Sequence, residues 1–564
     1  MAHSPSGSAH DRHGGALLTA CLAEQGVARV FCIPGESFLA ALDGLHDAAI
    51  DVVVARHEGG AAMMAEAHGK LTGSPGVAFV TRGPGATNAS AGVHVAFQDS
   101  TPLVLFVGQV ASDQRDREAF QEVDYRAMFA PLAKWVAQID RADRIPEYVS
   151  HAFHLAQNGR PGPVVLALPE DMLSGPATGR PVPAAIRPSG RAAESDVEAI
   201  IDELASASRP LVIVGGGGWN AEAARALGEL AGRMNLPVGA SFRCQDYLDN
   251  RHPCYVGDVG IGINPALAER VRSADLILAL GTRLGEMTTS GYTLLSPPMA
   301  RQRLIHIHAD PAEIGRVYRP ALAVVARPAA IVRQLAEAAA AHPPSDWSRA
   351  ARADYEAWQQ PPAAQPAHAP AQANANPGTV RMERVIAHLN ETLASDAILT
   401  NGAGNYAGWL HRYYRYRGWR TQLAPTSGSM GYGLPAAIAA KLQHPEREVV
   451  CLAGDGCFQM VSQELGTARA TGAHVIVLIV DNGLYGTIRM HQQRQYPGRP
   501  SGTDLQNPDF AALARAHGGF GATLTRDEEF APAFQAARNS GSLAVLHVRV
   551  DPAALGPSVR LEAT

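Results

Sequence analysis

The sequence predicts an α/β fold of three doubly wound parallel-sheet domains. Three observations carry that prediction. Short apolar runs alternate with helical patterns from Gly14 onward. Two aperiodic stretches, 175–188 (Pro, Gly, Ala) and 361–377 (Pro, Ala, Gln, Asn), cut the chain into three. Finally, 564 residues exceed what one ordinary hydrophobic core accommodates.

Taken in order, the first domain (1–178) reads as a helix over 16–24, a strand over 29–33, a helix over 38–46 and a strand over 52–55. A helix over 61–71, a strand over 77–81, a helix after Gly85 and strands over 103–107 and 164–168 follow. This β-α-β rhythm implies a parallel sheet covered on both faces. The second domain (190–342) offers strands over 211–214, 276–280 and 304–307 and a helix over 221–234. The third (378–564) opens with an amphipathic helix over 380–393 and carries strands over 397–400, 449–452, 475–480 and 543–548. No short repeat period runs through the chain.

Composition narrows the function classes. A net charge of -5 with no basic stripe argues against nucleic acid as a partner. Few charged residues (18%) beside 55 Gly and 39 Pro suit a large α/β enzyme with buried sheets and tight turns. Six scattered cysteines without a C-x-x-C pair suggest neither disulfides nor zinc, so a reducing cytoplasm is expected. The start, 1–15, is polar and lacks a secretory pattern, and reads as a frayed tail. Apolar runs such as 475–480 fall far short of the roughly 20 residues that span a bilayer, so no membrane partner is expected.

The strongest local signal is Gly454-Asp455-Gly456 directly after one apolar strand, with Asp481-Asn482-Gly483 at the end of the next. Alone, G-D-G is an ordinary turn. Ligands in open parallel sheets bind at the carboxyl ends of strands, so Asp455 and Asn482 can face one ion. A carboxylate, an amide oxygen and a backbone carbonyl form the hard-oxygen set that Mg²⁺ shared with a diphosphate prefers. Arg56-His57-Glu58 stands at a strand-to-helix junction, where an acid often only complements the helix dipole. Two further signals are weak. Gly215 to Gly218 follows a strand without an acid convincingly downstream, and His306-x-His308 reads as a structural pair on a strand rather than a metal site.

These motifs together resemble the thiamine diphosphate (ThDP)-dependent enzymes of the acetohydroxyacid (acetolactate) synthase and 2-oxo acid decarboxylase type, over nearly the whole chain. The resemblance names the three domains pyrimidine-binding, middle and diphosphate-binding. It implies Mg²⁺ ligands at Asp455, Asn482 and the carbonyl of Leu484, and cofactor contacts at Gly454, Gly456, Cys457, Tyr485 and Gly486. Gly404, Asn405 and Tyr406 are implied as diphosphate contacts in a glycine-rich loop whose N–H groups could cradle phosphate, although synthases usually carry Gln-His at the last two. Gly428 and Met430 match the segment whose bulky apolar residue wedges between the cofactor rings; as a bland alternative, Met is common core filler. In the first domain Pro34, Thr81 and Asn88 are implied contacts, and Glu58 matches the Glu that activates the cofactor. Its carboxyl would favour the pyrimidine imino tautomer that deprotonates thiazolium C2; the C2 ylid then attacks a 2-oxo acid, and loss of CO₂ leaves an enamine.

Gln121, in Ala119-Phe120-Gln121-Glu122-Val123-Asp124, looks like the synthase residue on the substrate side. No His-His pair of the pyruvate decarboxylase type occurs, which tilts toward carboligation. Thr487, Ile488 and His491 stand where synthases carry Met, Val and Trp, which leaves the acceptor open. Arg283-Leu284-Gly285-Glu286 replaces an Arg-Phe-Asp-Asp segment, so FAD is admitted but disfavoured. The expected function is a ThDP- and Mg²⁺-dependent decarboxylase or carboligase acting on a small 2-oxo acid. The expected assembly is a homodimer or homotetramer with active sites between subunits. Rivals are a flavin-dependent 2-oxo acid oxidase, a 2-hydroxyacyl-CoA lyase, and a non-catalytic ThDP-binding relative.

Overall fold

The computed structural model describes residues 12–188, 190–361 and 379–561. Apart from Pro361, the second expected linker lies outside the described residues, as do residues 1–11 of the polar start. The tail expected over 1–15 ends sooner than its composition suggested. His13 caps the helix Gly14–Glu24 by accepting a hydrogen bond from the Ala16 N–H at 3.1 Å, so Gly14 and Gly15 are already helical. Two compact units divide between Pro188 and Ser189.

The first unit holds strands β1 (Arg29–Cys32), β2 (Asp51–Val54), β3 (Gly76–Val80), β4 (Leu103–Gln109), β5 (Trp135–Gln138) and β6 (Pro163–Pro169). They form one parallel sheet in the order β2-β1-β3-β4-β6-β5. Strands β3, β4 and β6 are buried along their whole length, as their unbroken apolar runs require. Phe38, Phe79 and Phe106 stack through the core at centroid distances of 5.8 and 4.7 Å. The Ala/Gly-rich helices Glu58–Thr72 and Pro84–Asp99 approach closely, because a Cβ on Gly92 would fall 2.4 Å from that of Ala62. Between these helices Lys70 is buried against Asp99 and, at 3.3 Å, Glu66. Burial opposes its charge, but the two carboxylates hold the Lys70 pKa above its ordinary value.

The second unit contains two sheets. One holds β7 (Pro210–Val214), β8 (Val238–Ser241), β9 (Tyr255–Val259), β10 (Leu276–Leu280), β11 (Arg303–His308) and β12 (Leu322–Val325), all parallel, in the order β12-β11-β10-β7-β8-β9. Packing on this sheet continues past 342 through the helix Asp346–Gln359: Arg270 pairs with Asp354 at 2.5 Å and the Trp347 indole donates to the Pro210 carbonyl. The other sheet holds β13 (Ile398–Asn401), β14 (Gln422–Leu423), β15 (Val449–Gly454), β16 (Ile476–Asp481), β17 (Phe520–Leu524) and β18 (Ala544–Arg549). It too is parallel, in the order β14-β13-β15-β16-β18-β17. Numbered within each sheet, this order is the same as in the first unit. Among the described residues no helix is long and apolar enough to cross a membrane.

Candidate functional site

In the second unit the site grows from the carboxyl ends of β15 and β16, which are parallel neighbours with Gly454 opposite Val480. The chain leaves β15 into the short helix Asp455–Gln459, with Asp455 buried. Its Oδ1 accepts the Gly456 N–H at 2.9 Å, and its Oδ2 accepts the Gly483 N–H at 3.0 Å and the Asn507 amide at 2.7 Å. Burial outweighs these hydrogen bonds and pushes the Asp455 pKa up. A carboxylate so desolvated is a good partner for a cation. Asn482 accepts the Leu484 N–H at 3.2 Å through Oδ1. Asp455, Asn482 and Leu484 line one cavity of about 230 Å³. The same cavity is lined by Gly404, Asn405, Tyr406, Gly428, Met430, Gly454, Gly456, Cys457, Tyr485 and Gly486.

Packing around the cavity explains the two glycines of the motif. A Cβ on Gly454 would stand 2.7 Å from the Tyr406 ring, and one on Gly456 would stand 2.6 Å from the Tyr485 ring. Tyr406 is turned inward, with its hydroxyl donating to Cys457 Sγ at 3.2 Å, and the Gly431 N–H also donates to that sulfur at 3.1 Å. The Asn405 N–H, which the glycine-rich loop suggested as a phosphate donor, instead donates to Thr487 Oγ1 at 3.0 Å. Met430 is half-buried, packing against the core while it lines the cavity. Thr487 and Ile488 border the cavity at the start of the helix Gly486–Gln495, and His491 lies further along that helix.

Behind Asp455 runs a buried polar network. Asn507 donates to both Asp455 and Asp481, each at 2.7 Å, and Asp481 Oδ2 meets His547 Nε2 at 2.7 Å. Burial works against Asp481 ionising, but hydrogen bonds, led by that from His547, and the Arg549 guanidinium hold its pKa low. A second cavity of about 520 Å³ lies beyond this network, bordered by Thr523, Thr525 and Arg549. Its arginine is paired with Asp481 at 3.1 Å. Asn507 and His547 carried no sequence signal: the first precedes a proline as any turn residue could, and the second sits inside an apolar strand.

In the first unit the expected residues gather at the carboxyl edge of the sheet: Pro34 after β1, Glu58 after β2, Thr81 to Asn88 after β3, and Gln121 in the loop after β4. Glu58 opens its helix, with His57 Nδ1 as the cap accepting the Gly59 N–H at 3.0 Å. Glu58 Oε2 accepts from Asn88 Nδ2 at 2.9 Å, and Oε1 lies over Gly85, 3.5 Å from where a Cβ would stand. Thr81 and Ser37 share a hydroxyl hydrogen bond of 2.8 Å. Gln121 has φ 65 and packs on Gly83, and the adjacent Phe120 is 72% exposed. Arg82 is buried and donates to the Phe120 carbonyl at 3.1 Å while pairing with Glu36 and Glu170.

In the middle sheet the Gly215 to Gly218 turn is occupied by its own neighbours. Trp219 Nε1 donates to the Gly215 carbonyl at 2.9 Å, the Tyr247 hydroxyl donates to the Gly216 carbonyl at 2.5 Å, and a Cβ on Gly216 would meet the Gly281 carbonyl at 2.1 Å. His306 Nε2 donates to the Thr282 carbonyl at 3.0 Å, and burial lowers its pKa to about 4.

Family models match three stretches: the thiamine pyrophosphate enzyme N-terminal TPP binding domain over 12–128, the central domain over 197–335 and the C-terminal TPP binding domain over 402–548. Similar curated proteins include the acetolactate synthase large subunit of Corynebacterium glutamicum, 32% identical over 93% of this chain and 84% of that protein. The acetolactate synthase isozyme 2 large subunit of Escherichia coli is 30% identical over 96% of each chain. The acetolactate synthase large subunit of Parasynechococcus marenigrum is 34% identical over 95% of this chain and 87% of its own length.

Proposed function

This chain belongs to the thiamine pyrophosphate enzyme family, and from that premise we propose a Mg²⁺-assisted, acetolactate synthase-like decarboxylase and carboligase acting on a small 2-oxo acid. The observation that carries this reading is the convergence of Asp455, Asn482 and Leu484 on one cavity at the ends of two neighbouring parallel strands. The buried Asp455 carboxylate and the oxygen-only donor set fit Mg²⁺, the cation that would neutralise a diphosphate there. Asp455, Asn482 and the Leu484 carbonyl would hold the metal, and Met430 would pack against the bound cofactor from the cavity wall. Bound ThDP supplies the thiazolium electron sink for cleavage next to a 2-oxo carbonyl.

The chain's own residues then divide the remaining work. Glu58 holds a proton at the pyrimidine end; the Asn88 amide fixes Oε2 and so orients Oε1. Gln121 and exposed Phe120 serve the substrate side. The replacements at Thr487, Ile488 and His491 support an acceptor different from that of the synthases. For the middle domain we favour a flavin-free reading, since Arg283-Leu284-Gly285-Glu286 stands where the synthases carry an Arg-Phe-Asp-Asp segment. Assembly is proposed as a homodimer or homotetramer with sites between subunits.

The test is a panel of 2-oxo acids, with and without aldehyde acceptors, incubated with protein, ThDP and Mg²⁺. CO₂ and products are read by mass spectrometry, and visible flavin absorbance is recorded on the purified protein. CO₂ release with a ligated product is the expected result. Tight ThDP binding without CO₂ from any acid would leave the non-catalytic relative as the answer, and a flavin spectrum would overturn the flavin-free middle domain and leave a flavin-bearing synthase or the oxidase, which the products tell apart.

A further inference from the structure

The segment after β8 docks on the third sheet of the same unit through buried polar contacts. Asp246 accepts the Thr421 and Gln422 N–H groups at 3.0 and 3.2 Å, Gln245 donates to the His411 carbonyl at 2.8 Å, and Asn250 accepts the Tyr416 N–H at 2.9 Å. Those contacts end on β14, in the helix Ala407–Tyr413 and in the segment that joins them. One side chain reaches further. Arg243 is 8% exposed, its Nη2 donates to the Gly402 carbonyl at 3.0 Å, and its Nη1 donates to the Pro425 carbonyl.

Both acceptors sit at the roots of loops that line the cavity. Gly402 starts the run to Gly404, Asn405 and Tyr406, and its carbonyl is completed by a second donor, Asn401 Nδ2, at 2.7 Å. Pro425 opens the turn that reaches Gly428, whose N–H donates back to the Pro425 carbonyl at 3.0 Å, and Met430 follows. These carbonyls lie past the ends of β13 and β14, where the strand ladder no longer supplies donors and a buried acceptor needs another partner. A planar guanidinium supplies two donors in one rigid fork, which an ammonium cannot do. Arg243 is itself held: its backbone has φ 62, and its guanidinium lies over the Phe242 ring at 4.8 Å.

We propose that Arg243, a residue of the middle sheet, is a positioning residue for cofactor binding: one guanidinium sets the spacing between the 402–406 loop and the 425–430 loop. The proposal rests on reading the cavity as the ThDP site. Two measurements on the full-length protein keep the two apart. Calorimetric titration of ThDP with Mg²⁺ compares wild type, Arg243→Ala and Arg243→Lys, and hydrogen–deuterium exchange on the cofactor-free proteins follows the two loops. The Ala variant is expected to lose about tenfold or more in ThDP affinity, the equivalent of one charged hydrogen bond. Its exchange should accelerate in 402–406 and 425–430 but not in β15, β16 or β18. The Lys variant, with one donor group in place of a fork, should fall between.

Unchanged affinity in Arg243→Ala beside a wild type that binds overturns the proposal. So does exchange that rises evenly through the third sheet, which marks a merely structural role. If wild type bound no ThDP, the site reading would fall and cofactor positioning with it, while loop-confined exchange would still identify the clamp. Should the Ala variant not fold, Arg243→Lys and Arg243→Gln carry the same comparison.

Discussion

Replacing Glu58 by Gln separates a catalytic acid from a helix-opening acid. The amide keeps the side chain's length and can still accept from Asn88 Nδ2, which lies 2.9 Å from Oε2, so the local geometry should survive. The loss of the helix-dipole interaction in the first turn costs about 0.3–1 kcal/mol of stability. Losing a general acid–base group costs about 10² to 10⁴ in rate. At 1.36 kcal/mol per decade that is about 3 to 5 kcal/mol of barrier. The second effect is several times the first, so a folded protein with ThDP affinity near wild type and a large rate loss is the expected phenotype. Deuterium exchange at thiazolium C2 of bound ThDP, followed by quenched NMR, reads the step directly: wild type should accelerate it strongly and Glu58→Gln should not. Exchange at the wild-type rate in the variant would reduce Glu58 to a helix-start acid.

Asp455→Ala should abolish ThDP binding, as should a chelator, because the diphosphate would lose its bridging cation; unchanged affinity in calorimetric titration would remove the metal assignment. Gln121→Ala and His491→Ala should shift kcat/KM ratios between acceptors while ThDP affinity holds; equal losses for every substrate would place them elsewhere. Lys70→Met leaves Glu66 and Asp99 buried without their cation, a change worth about 3–5 kcal/mol. Scanning calorimetry should then find the first unit melting about 6 to 20 °C lower, and an unmoved midpoint would count against the buried ion triad.

The strands that sequence alone reveals are those buried on both faces, such as β4, β6, β15 and β16, where every position before the terminal Gln109 of β4 and Asp481 of β16 is apolar or small. Those it hides are mostly sheet edges: β5, β9, β12, β14 and β17 each end a strand order. Edge strands are partly solvated and short: Phe520–Leu524 shows no continuous apolar run, Leu322–Val325 is apolar but only 4 residues long, and Gln422–Leu423 is too short to carry a period. The interior β8 escapes notice for another reason: Val238–Ser241 is built of small residues. At the site, Asp455 and Asn482 were legible because their motifs end adjacent strands. Asn507 and Arg243 were not. They reach Asp455 and Gly402 across 52 and 159 residues, and a hydrogen bond over such separations leaves no local pattern.

The first and third sheets share one strand order, and the segments that follow the third strand of each in chain order, starting at Thr81 and at Asp455, are therefore equivalent in topology. A chain that carries the same arrangement twice has two homes for each βαβ segment, and mispairing between copies is the failure such duplication invites. Synthesis from the N-terminus offers a remedy in time. Residues 12–188 can close their sheet before the ribosome has delivered β13, and the differently ordered middle sheet, emerging between them, matches neither copy.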